Sequence, residues 1–284
     1  MISAATFETV RLRGDGLDLA ADVFGPVDGT PVLFFHGGGQ SRRSWRGSAR
    51  AIGRAGYRAM TFDLRGHGES DWAPDGDYLL DAYARDVEAL VDGLAGPVVL
   101  VGASRGGQAA LVAAARRPGR IGLAMLADSA PRLRDEGVEN IRGFFRLSSL
   151  GFESVEAAAD ALVEHLHQPR VTPASGLARA LRTADDGRLY WHWDPKTVSP
   201  EFLNPPSEGI ALETAAATMR DPLVLVRGEF SSIVTPESVA HFRMLAPQLE
   251  VIEAKGAGHM FTADRNDVFA EQLLAQLARH APLP

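Results

Sequence analysis

The sequence contains no cysteine. This absence excludes disulfide scaffolds, thiol catalysis and zinc sites with thiolate ligands, and it leaves the redox compartment undetermined. No apolar stretch approaches the roughly 18 to 20 residues that a membrane-spanning helix needs. Residues 1–13 also lack the basic and apolar regions of a signal peptide. We therefore expect a cytoplasmic enzyme or binding protein.

Basic residues are fewer than acidic ones: the chain has 29 Lys and Arg residues, 36 Asp and Glu residues and a net charge of −7. Neither nucleic acid nor an anionic membrane is expected as a partner of such a chain. No His-Glu-x-x-His spacing, phosphate-binding loop or Gly-x-Gly-x-x-Gly fingerprint occurs, so no metal, nucleotide or flavin cofactor is expected. The expected partner is a small-molecule substrate, and the oligomeric state stays open.

Short apolar runs alternate with longer amphipathic ones along much of the 284 residues, 45% of which are hydrophobic. This alternation predicts an α/β fold, in which helices cover both faces of a mostly parallel sheet. An opening hairpin is expected near residues 7–24. The predicted central strands are 31–35, 57–62, 97–101 and 121–127, followed later by 222–226 and 249–253.

The segment from about residue 131 to 219 differs from the rest because predicted strands vanish from it. It is rich in Ala, Leu, Arg and Glu at helical spacing. At about 90 residues it is too long for a simple connection. We predict a helical cap, or lid, inserted into a core formed by residues 1–130 and 220–284.

A Gly-x-Ser-x-Gly sequence, Gly102 to Gly106, lies between a predicted strand and a predicted helix. A serine on such a tight turn is exposed as a nucleophile, and small residues two positions away on either side avoid collisions. The backbone N–H of Arg105 would lie at the helix N-terminus, where it could stabilise an oxyanion. The alternative is a glycine-bracketed turn in which Ser104 is incidental.

Two further glycine-rich turns follow predicted strands. In His36-Gly37-Gly38-Gly39-Gln40, Gly38 is the candidate for the second oxyanion donor, and His36 is expected to hold the loop. In Gly256-Ala257-Gly258-His259, the histidine comes last in chain order, as a Ser-acid-His triad of this kind requires. His259 is the candidate base, and a structural role is the alternative for each turn.

These motifs, together with Asp63-Leu64-Arg65-Gly66-His67-Gly68-Glu69-Ser70, resemble the α/β-hydrolase superfamily over about two thirds of the chain. The pattern is most similar to capped bacterial serine esterases and lactonases. The resemblance implies that Asp63 and His67 are scaffold residues. Epoxide hydrolases and haloalkane dehalogenases of this superfamily use an aspartate nucleophile, so Ser104 argues against both activities.

The chain departs from the family at the triad acid, because Ser232 stands where the aspartate is expected. A serine cannot stabilise an imidazolium by charge. Two carboxylates are candidates: Asp128 follows the sixth predicted strand, and Glu229 lies in the expected loop but three residues early. Asp128 is favoured, although capping of the following turn is an alternative role for it.

The aromatic pair Trp191 and Trp193 is predicted to line the substrate pocket, with packing of the cap as the alternative. The main hypothesis is a cofactor-independent serine hydrolase that cleaves a small to medium apolar carboxylic ester or lactone through an acyl-enzyme on Ser104. Its rivals are a ligand-binding or scaffold protein with a degraded triad, and a cofactor-free lyase or oxygenase that uses the same pocket.

Overall fold

The computed structural model describes residues 7–166, 175–178, 180–199, 205–256 and 266–283. Its centre is an eight-stranded sheet in which the first strand pairs antiparallel with the second and the second antiparallel with the fourth, while all other pairs are parallel. The strands are β1 (Glu8–Arg13), β2 (Asp18–Phe24), β3 (Pro31–Phe35), β4 (Arg58–Phe62), β5 (Val98–Ala103), β6 (Ile121–Ala127), β9 (Leu223–Gly228) and β10 (Glu250–Ala254). Their spatial order is β1-β2-β4-β3-β5-β6-β9-β10.

Helices cover both faces of this sheet, which confirms the predicted fold class. The helices between and after its strands are α1 (Arg46–Arg54), α2 (Leu80–Asp92), α3 (Ser104–Arg116), α8 (Pro236–Leu245) and α9 (Asn266–His280). Side chains of α1 and α9 form one apolar layer, whereas α2, α3 and α8 contribute to the layer on the opposite face. In the described ranges, no helix is long and apolar enough to cross a membrane.

The burial of β3 shows why its sequence carries no polar alternation. Val32 and Phe34 pack into the layer that contains α1 and α9, and Leu33 and Phe35 pack into the opposite layer. All four residues are fully buried. A strand with apolar layers on both sides needs apolar residues at every position. The same rule explains β5, whose six residues are all buried.

The segment between β6 and β9, which we call the insert, has four α-helices in its described residues: α4 (Asp135–Ser148), α5 (Val155–Leu166), α6 (Ser175–Ala178) and α7 (Pro206–Thr218). The expectation that it lacks strands is wrong, because β7 (Leu181–Thr183) and β8 (Leu189–Trp191) form an antiparallel hairpin. Each strand has only three residues, too few for a period of two to stand out. Phe152 extends the hairpin by a bridge to Leu189.

The insert contacts the loop that follows β4 through backbone hydrogen bonds. The Asp194 N–H donates to the Gly66 carbonyl at 2.7 Å, and the Gly68 N–H donates to the His192 carbonyl at 3.0 Å. Tyr78 adds a buried side-chain contact, because its hydroxyl donates to Asp194 Oδ2 at 2.6 Å. These bonds attach the hairpin end of the insert to the carboxyl edge of the sheet.

Candidate functional site

Ser104 lies at the junction of β5 and α3 with a φ of 45°, in the left-handed region that non-glycine residues rarely adopt. The prediction that small residues must flank it is confirmed. A Cβ on Gly102 would lie 2.5 Å from the Gly106 carbonyl oxygen, and a Cβ on Gly106 would lie 2.5 Å from the His36 carbonyl oxygen. Backbone oxygens cannot move aside as a flexible side chain can, so both positions require glycine.

Arg105 directs its side chain toward α7 and α2. The guanidinium binds Glu208 through two hydrogen bonds of 2.5 and 2.9 Å and donates to the Tyr78 carbonyl at 3.0 Å. Glu208 Oε1 also accepts from the Leu80 N–H at the start of α2. The backbone N–H of Arg105 lies beside Ser104 in the first turn of α3.

The glycine loop after β3 uses its own amides to hold its shape. The Gly37 N–H donates to Gln40 Oε1 at 3.0 Å, the Gln40 N–H donates to the Gly37 carbonyl, and the Gly39 N–H donates to His67 Nε2 at 3.2 Å. Gly38 is exposed. Among the described residues, none accepts a hydrogen bond from its N–H. The Gly38 N–H thus takes no part in the hydrogen bonds that hold the described loop.

Two buried histidines fix this loop, in agreement with the structural roles predicted for them. His36 Nε2 accepts from the Leu64 N–H at 3.0 Å, so the proton lies on Nδ1, which donates to the Gly37 carbonyl at 2.7 Å. His67 Nε2 accepts from Gly39, and its Nδ1 donates to the Arg65 carbonyl at 3.0 Å. Burial lowers the pKa of His36 to about 4. Burial, with repulsion from His36, lowers the pKa of His67 to about 3.

Asp63 also has the scaffold role that was predicted for it. Its carboxylate accepts from the backbone N–H groups of Arg42 at 2.7 Å and Glu69 at 2.9 Å, and it forms a buried ion pair with the Arg42 guanidinium. A Cβ on Gly68 would lie 2.2 Å from Asp63 Oδ2. These contacts connect the segments that follow β3 and β4.

Asp128 directly follows β6 and is 1% exposed. Its φ of 46° makes it, with Ser104, one of two non-glycine residues with positive φ in the described part of the chain. Its Oδ1 accepts from the Gly228 N–H at 3.1 Å, and its Oδ2 accepts from the Ser231 hydroxyl at 2.5 Å. Backbone strain of this kind persists where the surroundings enforce it, and it is concentrated at functional sites.

The other residues considered for the acid are exposed, unlike this carboxylate. Glu229 is exposed, and its Oε2 accepts from the Gly256 N–H at 2.7 Å, in the turn that follows β10. Ser232 is exposed, whereas its neighbour Ser231 is buried against Asp128. His259 lies outside the described residues, which stop at Gly256 and resume at residue 266.

The two tryptophans predicted to line the pocket stack on each other, with ring centroids 5.2 Å apart. A Cβ on Gly39 would lie 3.2 Å from the Trp193 ring and 3.1 Å from the Phe145 ring, so both aromatic rings cover the glycine loop. Trp191 lies farther into the insert, where its Nε1 donates to the Ser148 hydroxyl at 3.0 Å. Phe145, from α4, was not predicted from the sequence, because an apolar helical position resembles ordinary core.

The strained serine, the glycine loop and a carboxylate at the ends of neighbouring strands define an α/β protein of the hydrolase type. The alpha/beta hydrolase fold family matches residues 30–265, and the chain belongs to this family.

Curated relatives and solved structures agree with this assignment. The chain is 28% identical to an esterase of Mycobacterium tuberculosis over 242 residues, which cover 82% of this chain and 78% of that protein. It is 26% identical to an sn-1-specific diacylglycerol lipase of Mus musculus over 255 residues, covering 87% and 80%. The crystal structure of E-2-(acetamidomethylene)succinate hydrolase has a TM-score of 0.80 at 23% identity, over 95% and 98% of the two chains. That last likeness shows the fold alone.

The lowered pKa values of His36 and His67 predict how the free energy of unfolding depends on pH. Their pKa values of about 4 and about 3 in the folded protein lie below the ordinary value of 6.5 that they regain on unfolding. Their contribution to the free energy of unfolding is therefore complete above pH 6.5 and is lost as the pH falls from 6.5 toward 4. The slope approaches about 1.4 kcal/mol per pH unit for each histidine.

Urea unfolding of the wild type and His67→Gln from about pH 7 to about pH 4.5 measures this slope. Glutamine keeps an acceptor for the Gly39 N–H but does not titrate, so the variant should lose one histidine's share of the slope. His192→Gln, the same substitution at an exposed histidine, serves as the matched control. Equal slopes for the wild type and His67→Gln would contradict the prediction.

Proposed function

We propose that this protein is a cytoplasmic serine hydrolase that cleaves small to medium apolar carboxylic esters or lactones through an acyl-enzyme on Ser104. The observation that carries the proposal is the convergence of three chain segments at the carboxyl ends of β3, β5 and β6. A Cβ on Gly37 would lie 3.4 Å from Ser104 Cβ, and the Ser129 hydroxyl donates to the Ser104 carbonyl at 3.0 Å. The candidate oxyanion loop, nucleophile and acid are thus neighbours.

In the proposed reaction, Ser104 Oγ attacks the ester carbonyl carbon while His259 takes the hydroxyl proton. The N–H groups of Arg105 and Gly38 stabilise the oxyanion of the tetrahedral intermediate. When the intermediate collapses, the ester C–O bond breaks and His259 returns the proton to the leaving alcohol. Water, deprotonated by the same histidine, then attacks the acyl carbon. The bond between this carbon and Ser104 Oγ breaks, His259 returns the proton to the serine, and the acid is released. These groups supply the whole acyl transfer, so the proposal needs no cofactor.

Asp128 is the proposed triad acid. Its carboxylate is buried and held by two donors, which restricts its orientation, and it emerges at the same sheet edge as Ser104. An ionised carboxylate accepts at about four sites, so a third hydrogen bond from His259 Nδ1 is compatible with the two donors. Glu229, in contrast, is exposed, and its Oε2 accepts from the Gly256 N–H. Its exposure supports Asp128 over Glu229 as the acid.

The proposed substrate class follows from the aromatic wall over the glycine loop. Phe145 and Trp193 are both 6% exposed and pack edge to face, with ring centroids 5.8 Å apart. Rings that lie over Gly38 and Gly39 favour an apolar acyl group of limited size. Trp191 supports Trp193 from the insert side by stacking on it. Relatives named as an esterase and a lipase are in line with an ester substrate.

Ser104→Ala should abolish turnover and leave the fold intact, because alanine keeps the Cβ at the tight turn but lacks the nucleophile. We expect a loss of roughly 10⁴-fold or more in kcat on p-nitrophenyl esters. Mass spectrometry after treatment with a fluorophosphonate probe should find the label on Ser104 in the wild type. Undiminished turnover by the purified variant would rule out the serine mechanism.

Asp128→Asn should cut kcat by about 10³- to 10⁴-fold, because the amide can stabilise the wrong tautomer of the catalytic imidazole. Glu229→Gln is the matched control and should keep wild-type rates. The same ester assay measures both variants, with circular dichroism to check folding. The opposite pattern would transfer the acid role to Glu229, and two silent variants would favour a binding protein with a degraded triad.

Phe145→Ala and Trp193→Ala should shift the preference toward longer acyl chains, because each removes part of the wall over the glycine loop. We expect the ratio of kcat/KM for an octanoyl over an acetyl ester to rise about tenfold or more. Trp191→Ala should mainly lower the free energy of unfolding, by about 3 to 5 kcal/mol. If the chain-length ratio stayed constant in all three variants, the pocket assignment would be wrong.

A further inference from the structure

The end of β9 and the loop that follows it meet Asp128 through two donors. Gly228 is the last residue of β9 and Ser231 lies in the loop; they are 100 and 103 residues from Asp128 in sequence, and both donate to its carboxylate. Asp128 itself is fixed in its strained conformation by an N–H bond of 2.8 Å to the Val226 carbonyl in β9. The family resemblance led us to expect the acid in this loop. The loop instead donates a hydrogen bond to a carboxylate that follows another strand, β6.

The direction of the hydrogen bond between Ser231 and Asp128 is determined by the remaining contacts of the hydroxyl. Ser231 Oγ accepts from the Ile233 N–H at 3.2 Å and from the Val234 N–H at 3.0 Å. A hydroxyl has two acceptor lone pairs and one proton. Because the lone pairs face two amides, the proton points to Asp128 Oδ2, 2.5 Å away.

Such a bond restricts the orientation of the carboxylate. Hydrogen bonds to charged groups are stronger than those between neutral groups. Ser231 is 9% exposed and Asp128 is 1% exposed, so water competes little for either partner. The turn that presents the hydroxyl is closed by the Ser231 N–H, which donates to the Gly228 carbonyl at 3.0 Å.

We infer that Ser231 is a positioning residue, whose hydroxyl holds the Asp128 carboxylate in the orientation needed to receive the imidazole of His259. The inference rests on the proposed role of Asp128 as the triad acid. Ser231 contacts neither the substrate nor the reacting atoms in this scheme. It affects the reaction only through Asp128, so the test must show that the effect of Ser231 depends on Asp128.

Ser231→Ala should lower kcat on p-nitrophenyl butyrate roughly ten- to a hundredfold, the loss expected for one hydrogen bond to a charged group. KM should change less than about twofold, because the hydroxyl does not touch substrate. Ser231→Thr retains the hydroxyl and should recover most of the rate. Ser232→Ala, a change at the adjacent exposed serine, is the matched control and should behave as the wild type.

A double-mutant cycle with Asp128→Asn distinguishes positioning from a general weakening of the loop. If Ser231 acts through Asp128, then Ser231→Ala causes no further loss in the Asp128→Asn background. An equal loss in both backgrounds would overturn the inference, as would a silent Ser231→Ala in the wild-type background. A silent Asp128→Asn would instead remove Asp128 as the acid, and Ser231 would then have no catalytic group to position. The rate at which the fluorophosphonate labels Ser104 gives a second readout that does not depend on the ester chosen.

Discussion

The close approach of backbone to backbone at the start of α3 is the constraint on which the site depends. Gly106 donates its N–H to the His36 carbonyl at 3.1 Å, so the first turn of α3 lies directly against the glycine loop. A Cβ on Gly107 would lie 2.8 Å from Ser129 Cβ, which places the same turn against the segment that follows β6. The first turn of α3, the glycine loop and the segment after β6 can meet because three glycines, Gly102, Gly106 and Gly107, leave room for them.

Polar contacts then fix the glycine loop without adding a buried charge to it. His36 and His67 each accept one backbone N–H and donate to one carbonyl, so both nitrogens of each ring are satisfied in the neutral state. A neutral, fully hydrogen-bonded ring is less costly to bury than an imidazolium. Arg42 and Asp63, two charged residues near the loop, are paired with each other.

Much of the core could be predicted because its signals are local. Apolar runs bounded by glycine and proline located the strands, and β3 and β6 have the predicted bounds. The glycines around Ser104 predicted the tight turn, since only glycine fits there whatever the rest of the chain does.

Other features depend on contacts between residues far apart in the sequence, and no local sequence pattern predicts them. The β7 and β8 hairpin is formed by three-residue strands, and Phe145 covers the glycine loop from a helix whose apolar face resembles any other. The support of Asp128 by Ser231 joins residues 103 positions apart through one hydroxyl in a polar turn. A serine in a loop carries no pattern that distinguishes this role from that of the exposed Ser232 beside it.

The strands β5 and β6 pair in parallel, with Ala103 opposite Ala127, so Ser104 and Asp128 leave the sheet at the same level on adjacent strands. Their separation is thus governed by the spacing of hydrogen-bonded strands, about 4.8 Å, and is independent of the length of the insert. The insert is attached to the core through several contacts, among them those of Asp194 with Gly66 and of Glu208 with Arg105. A change in the insert that preserves these attachments therefore alters the residues over the glycine loop and leaves the alignment of Ser104 with Asp128 to the sheet.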